Sequence, residues 1–187
     1  MDKYTYRKRK ALNKEQCNFI INYFNKNEST DGILDSSRNY TVLGMNFNNS
    51  NEWNWVADNV SNGINEYVDR HKSVKHLYFK WNLDSGFNIQ KYNPGDAYFR
   101  EHMEHGPSDY ICRRVLGWMI YLNTINHKGG TCWPQQKFTS KPREGDLYIW
   151  PAGWTHTHYG IAAPKEYKYI LTGWCSYDNS YKNLGLG

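Results

Sequence analysis

The chain has 187 residues, 39% hydrophobic and 22% charged, a globular composition with length enough for one domain and a full core, which excludes a disordered chain. Its four cysteines, Cys17, Cys112, Cys132 and Cys175, lie far apart with no C-x-x-C pair, so neither a zinc knuckle nor a disulfide framework is expected, and reduced, mostly buried thiols are. The net charge is +5, and no apolar run has the length of a membrane span or the form of a signal-peptide core, so a soluble, cytoplasmic protein without membrane contact is expected.

Part of the positive charge sits in one run, Arg7, Lys8, Arg9 and Lys10. Such runs are weakly specific, and a solvated, frayed N-terminus is the expectation; nucleic acid is not an expected partner. Asn13 with Gln16 three residues on reads as a capped helix start. Cys17, Ile20, Ile21 and Phe24 then give one apolar helical face, to about Asn27. Residues 27–39 are polar and read as a loop, followed by a strand over 40–47. Ser50-Asn51-Glu52 opens a second helix, with Trp53, Val56, Val60, Ile64, Tyr67 and Val68 on one stripe to about His71.

From Leu77 the pattern changes to short aromatic and β-branched runs between turn signals. Strands are expected at 77–83, 87–92, 115–123, 137–139, 147–150, 157–160 and 167–177. Turns are expected at Asp84-Ser85-Gly86, Asn93-Pro94-Gly95, His105-Gly106-Pro107, Lys128-Gly129-Gly130, Arg143–Asp146 and Ala163-Pro164-Lys165. This is the spacing of an antiparallel sandwich or barrel. The organisation expected is a single domain over 1–187, with helical support over 1–76, a β core over 77–177 and a polar tail over 178–187.

Chemistry concentrates in two segments. In Tyr92–Glu104, His102 and Glu104 stand two apart, and on a strand such residues share a face. In Trp150–Trp174, His158 is followed ten residues later by Lys168. Two histidines and a carboxylate on one side of a metal form the facial triad of non-haem iron oxygenases, with positions left open. A His-x-acid pair alone says almost nothing; the ordered set around it is what carries weight. Tyr92-Asn93-Pro94-Gly95, Tyr98, His102-x-Glu104, Arg114, Tyr121-Leu122-Asn123, Gly129-Gly130-Thr131, His158, Lys168, Thr172 and Trp174 closely resemble the 2-oxoglutarate and Fe(II)-dependent oxygenases, in their prolyl 4-hydroxylase-like branch. The WTHTH-then-Gly segment looks most like small bacterial and phage members, and the resemblance covers roughly Phe87 to Tyr177.

That resemblance implies a distorted double-stranded β-helix (jelly roll), mainly β, with the N-terminal helices on one sheet. It implies His102, Glu104 and His158 as metal ligands, with Lys168 binding the far carboxylate of 2-oxoglutarate, helped by Thr172, the Tyr121 hydroxyl and Tyr92. Arg114, Tyr98, His156 and Trp174 are implied as substrate-binding or supporting residues. His158 is chosen over His156 because the interval to Lys168 is the family's, although both histidines would share a strand face. Glu104 is chosen over Glu101 because it stands two past a His, and His105 lies outside the motif. His71, His76 and His127 read as ordinary surface or structural residues. Aromatics expected near the site are Tyr92, Tyr98, Trp118, Trp133, Trp150 and Trp174, though such rings are more often core. Most relatives carry Asp where Glu104 stands, and Glu is one methylene longer.

The activity so implied is hydroxylation of an unactivated C–H bond with oxidative decarboxylation of 2-oxoglutarate to succinate and CO2. It would use Fe(II) and O2, with ascorbate as a reductant and a prolyl residue of a peptide or protein as substrate. In a viral setting the location would be the host cytoplasm. The alternatives are hydroxylation of a free amino acid, another protein side chain or a nucleobase, and, in another class, a non-catalytic cupin-like binding module.

Overall fold

The structure, a computed structural model, describes residues 3–31, 38–75 and 80–178. Thirteen elements follow in order: β1 (Tyr6–Lys8), α1 (Lys14–Lys26), β2 (Thr30–Asp31), β3 (Thr41–Asn46), α2 (Asn54–Arg70), α3 (Lys72–Lys75), β4 (Trp81–Tyr92), β5 (Arg114–Tyr121), β6 (Thr131–Trp133), β7 (Phe138–Thr139), β8 (Leu147–Pro151), β9 (Tyr159–Gly160) and β10 (Lys168–Tyr177). Among them the strands form a large antiparallel sheet in the order β1-β8-β5-β10-β4-β3-β2 and a small one in the order β7-β6-β9. A mainly β jelly roll with flanking helices is therefore the fold, as expected.

Period-2 alternation divides the large sheet into two faces. Phe87 and Ile89 of β4, Leu116, Trp118 and Ile120 of β5, Leu147 and Ile149 of β8, and Leu171 and Cys175 of β10 are buried in one core with the helices. Cys17, Ile20 and Phe24 of α1 and Val56, Val60, Ile64 and Tyr67 of α2 cover them, the two stripes that the helical period picks out. The other face, with Tyr92, Met119, Tyr121, Tyr148, Trp150 and Ile170, forms a second cluster with Trp133 of the small sheet. Trp118 thus belongs to the helix-facing core and not to the site side, because it alternates with Gly117 and Met119.

Local chemistry explains the element ends. Asn13 accepts from the Gln16 N–H while the Gln16 side chain accepts from the Asn13 N–H, a complete capping box for α1. Asn93-Pro94-Gly95 closes β4 with Gly95 at φ 89°, a left-handed position that favours glycine. The Gly95 N–H donates to the Ala163 carbonyl at 2.8 Å, fixing where the next segment departs.

Several expectations are corrected. Arg7–Lys10 is not frayed: β1 pairs with β8, Tyr6 opposite Ile149. Arg7 donates to Asp146, Nε at 2.8 Å, and Lys8 Nζ lies 2.6 Å from Glu66. The acidic partners lie 139 and 58 residues away in sequence, so a local reading sees only uncompensated charge. Asp84-Ser85-Gly86 is no turn but a bulge inside one continuous β4, because its register against β10 shifts between Gly173 and Cys175. The Asp84 carboxylate accepts from Ser176 at 2.9 Å and Tyr110 at 3.0 Å, so the turn-forming residues are tied into the sheet. The expected strand over 157–160 shortens to β9, since residues 154–156 form a 3₁₀ turn. β2 lies within the expected loop over 27–39, and β6 had no expectation. Cys17 and Cys175 are buried, but Cys112 is exposed and Cys132 half-buried. Residues 77–79, His76, 32–37 and the tail beyond Asp178 lie outside the described residues. Among the described residues no helix is long and apolar enough to cross a membrane.

Candidate metal centre

Two segments meet between the sheets. His102 does not lie in a strand ladder but forms an isolated antiparallel bridge with His158. Each main-chain N–H donates to the other's carbonyl, at 3.0 and 2.8 Å. In such a hydrogen-bonded pair the side chains stand on one face, and the two imidazole centroids are 4.4 Å apart. The Glu104 N–H donates to the Ala152 carbonyl at 3.0 Å, which anchors the carboxylate beside them just beyond the end of β8. One ligand atom from each of His102, Glu104 and His158 lies within 4.8 Å of the others. Among the described residues these three form a cluster that could hold a metal ion.

The histidine tautomers follow from their partners. His102 Nδ1 is 2.9 Å from the Arg100 carbonyl, and His158 Nδ1 is 3.0 Å from the His156 carbonyl. A carbonyl only accepts, so each Nδ1 carries a proton and each Nε2 is the nitrogen turned to the centre. Burial, with the neighbouring His158, depresses His102 to a pKa of about 4, so it is neutral at pH 7. Burial alone would raise Glu104, but the hydrogen bond and charge of His158, the charge of His102 and the Trp174 hydrogen bond hold it down to about 2. Two imidazoles whose Nε2 atoms face the centre, with an ionised carboxylate beside them, are the donor set that divalent iron takes in place of the proton His158 shares with Glu104, so the residues fit such an ion.

Beside this triad lies a cavity of about 480 Å³. The site-facing residues of three strands line it: Asn88, Gln90 and Tyr92 of β4, Met119 of β5, and Lys168, Ile170, Thr172 and Trp174 of β10. Register places Lys168 opposite Tyr92 and Thr172 opposite Asn88. Lys168 is 3% exposed. Its Nζ lies 4.2 Å from the centroid of the Tyr92 ring. No carboxylate pairs with it among the described residues, and burial lowers its pKa to about 8. A buried ammonium without a counter-ion is costly, and here it borders the cavity.

The expected site residues fall into three groups. His102, Glu104, His158, Lys168, Tyr92, Thr172, Arg114, Tyr98 and Trp174 all border the cavity. Tyr121 stands one layer back: its hydroxyl lies 2.7 Å from Ser140 Oγ and 3.2 Å from Thr131 Oγ1, and Thr131 is the one that borders the cavity. The Thr172 hydroxyl donates to the Trp118 carbonyl at 3.2 Å. His156 is buried in the 3₁₀ turn and does not share a strand face with His158, but its carbonyl orients the His158 ring. His105 engages the Arg114 carbonyl through Nε2. His127 is exposed, and His71 is buried against Tyr67.

Sequence reading missed Asn88, Gln90 and Arg38, and named Thr131 only as part of a motif without a site role; all four border the cavity. The first two carried a signal: polar residues alternating with Phe87 and Ile89 mark a strand face that meets something polar. Arg38 donates to the Tyr98 hydroxyl at 3.2 Å across the cavity mouth, and nothing in its sequence setting shows that.

A family model described as the 2OG-Fe(II) oxygenase superfamily matches residues 87–176. No curated protein matches the chain in sequence. Among solved structures, the chain is similar to the viral collagen prolyl hydroxylase of Paramecium Bursaria Chlorella virus-1 in its 2OG complex. That match has 22% identity and a TM-score of 0.72 over 94% of this chain and 97% of that one. A Pseudomonas putida prolyl-4-hydroxylase matches at 14% identity and TM-score 0.70, over 94% and 93% of the two chains. A Trichoplax adhaerens prolyl hydroxylase in complex with a hypoxia inducible factor peptide matches at 13% identity and TM-score 0.69, over 99% and 88%. At these identities the likeness speaks for the fold.

Proposed function

Taking the 2OG-Fe(II) oxygenase superfamily segment at residues 87–176 as the premise, we propose that this protein is a 2-oxoglutarate- and Fe(II)-dependent hydroxylase acting on a prolyl residue of a peptide or protein. The observation that carries the proposal is the pairing of a His102–Glu104–His158 cluster with a buried Lys168 that meets no carboxylate among the described residues, both bordering one cavity. In this reading His102, Glu104 and His158 hold Fe(II) through two neutral imidazoles and one carboxylate. When bound, the metal and its oxoacid cosubstrate supply the oxidative chemistry, with succinate and CO2 as coproducts.

The protein's own part is orientation and exclusion of water. The Arg100 and His156 carbonyls hold both rings so that Nε2 faces the centre. Lys168 offers the cation for the far carboxylate, and the Thr131 side chain borders the same cavity. Trp150, Met119, Ile170 and Tyr92 wall the cavity with apolar surface. The prolyl preference is supported by the prolyl hydroxylases among the structural neighbours. The basic run that would have favoured a nucleobase substrate is half consumed in the fold, by Asp146 and Glu66.

The test is anaerobic addition of Fe(II) and 2-oxoglutarate to the intact protein. A visible charge-transfer band is expected, and His158→Ala should abolish it without lowering the melting temperature sharply, since the bridge to His102 is main-chain. Succinate release with a gain of one oxygen on a proline-containing peptide completes it. A wild-type protein that gives no band and no succinate with any peptide or amino acid would refute the proposal.

A further inference from the structure

The carboxylate of the cluster is a glutamate, and the structure shows how its extra length is used. Glu104 Oε1 lies 3.2 Å from His158 Nε2, on the side of the centre. Its other oxygen, Oε2, accepts from the Trp174 indole N–H at 2.6 Å. Arg114 lies over that indole, its guanidinium carbon 3.6 Å from the ring centroid. Arg114 Nη1 also donates to the Glu104 main-chain carbonyl at 3.2 Å and stands 3.7 Å from Oε2. Trp174 of β10 is opposite Gly117 of β5. A Cβ on Gly117 would lie 3.1 Å from Glu104 Cγ and 2.9 Å from Trp150. The missing side chain of one strand therefore makes the slot for the glutamate stem, and the neighbouring strand supplies the donor at its tip.

We propose that Trp174 is a positioning residue for the metal, acting through Glu104: it takes one carboxylate oxygen and leaves the other for the ion, an arrangement that glutamate reaches and aspartate does not. This rests on the ferrous site proposed above. An ionised carboxylate whose second oxygen accepts a hydrogen bond from a fixed N–H is held in rotation and in ligand mode. An aspartate carboxylate would sit about 1.5 Å nearer its own main chain, one C–C bond. The indole contact would then open to roughly 4 Å, beyond hydrogen-bonding distance. Arg114, stacked on one face of the ring, keeps the indole in the required orientation.

The experiment is a double-mutant cycle on metal affinity in the absence of cosubstrate, with Mn(II) and Co(II) titrated in competition with a chelating dye. The four proteins are wild type, Trp174→Phe, Glu104→Asp and the double variant. Trp174→Phe is expected to weaken binding about 10–100-fold with Glu104 present, the usual effect of removing an outer partner of a ligand. In the Glu104→Asp background the same change should have an effect below about 3-fold, because there the indole has no carboxylate to hold. Equal losses in both backgrounds, or no loss with Glu104 present, would overturn the proposal. A second readout needs no change at the indole: in metal-free, ¹⁵N-labelled protein the Trp174 indole proton should move upfield in Glu104→Asp. An unmoved resonance overturns the proposal even if Trp174→Phe does not fold. A wild type that binds neither metal would instead remove the ferrous site itself.

Discussion

Replacing Lys168 by Met should stabilise the empty protein while abolishing its response to 2-oxoglutarate. Burial lowers the Lys168 pKa from the ordinary 10.5 to about 8. At about 1.36 kcal/mol per pH unit, that fall corresponds to roughly 3 kcal/mol of destabilisation by the charged form. The ring of Tyr92, 4.2 Å away, returns about 1–2 kcal/mol of it as a cation–π contact. The net gain expected for Lys168→Met near pH 7 is therefore about 1–3 kcal/mol. For a chain of this size that is a rise in melting temperature of roughly 3–10 °C.

The sign has a pH signature. The folded-state pKa lies below the unfolded one, so the unfolded chain binds more protons between about pH 8 and pH 10.5, and wild-type stability rises through that window. Below about pH 8 the destabilisation is fully present. Above pH 10.5 both states are neutral and the difference from Lys168→Met closes. The assay is thermal unfolding of both proteins across this range, repeated with Mn(II) and saturating 2-oxoglutarate. A cosubstrate at a hundred times its Kd should add about 2.7 kcal/mol to wild type and nothing measurable to the variant. A less stable Lys168→Met protein at every pH, with an equal 2-oxoglutarate response in both, would refute the reasoning.

Asp146→Ala should lower stability by about 2–4 kcal/mol, seen as an earlier urea midpoint. It strands the Arg7 guanidinium and the Lys10 N–H that the carboxylate accepts from. Unchanged unfolding would mean that β1 is not held by this pair. Tyr121→Phe should cost about 1–2 kcal/mol in stability by leaving the Thr131 and Ser140 hydroxyls short of a partner. It should also raise KM for 2-oxoglutarate several-fold with kcat little changed, because the hydroxyl stands behind Thr131 rather than in the cavity. A larger loss in kcat than in KM would place Tyr121 at the reacting atoms instead.

What was legible in the sequence was whatever local chemistry writes locally. The capping box at Asn13 and Gln16 gave α1 its start to the residue, and the stripe from Trp53 to Tyr67 gave α2 its buried face. The ordered motif brought out all three members of the cluster and Lys168, although their convergence depends on contacts fifty to seventy residues apart. What was illegible depended on partners that sequence distance hides. Arg7 and Lys8 look like loose charge until Asp146 and Glu66 arrive from the turn before β8 and from α2. Asp84-Ser85-Gly86 has every mark of a reversal, yet Ser176 and Tyr110 hold Asp84 within a strand. Trp118 and Trp150 are equally aromatic and almost equally buried. Only the register of β5 against β8 sends one to the helices and the other to the cavity.

The same register explains how the fold tolerates so polar a site. β10 carries Lys168, Thr172 and Trp174 toward the cavity and alternates them with Leu171 and Cys175 in the helix-facing core. A slip of one residue would drive the lysine into the core under α1 and expose Leu171, so the apolar side locks the polar side in place. Stability and chemistry are thereby assigned to opposite faces of one strand. The helix-facing layer supplies the burial that keeps a buried ammonium, an ionised carboxylate and two imidazoles inside the protein. A lesion in the outer layer, such as truncation of Leu171, should therefore disturb the site through register, while truncation of Ile170 should disturb it by contact.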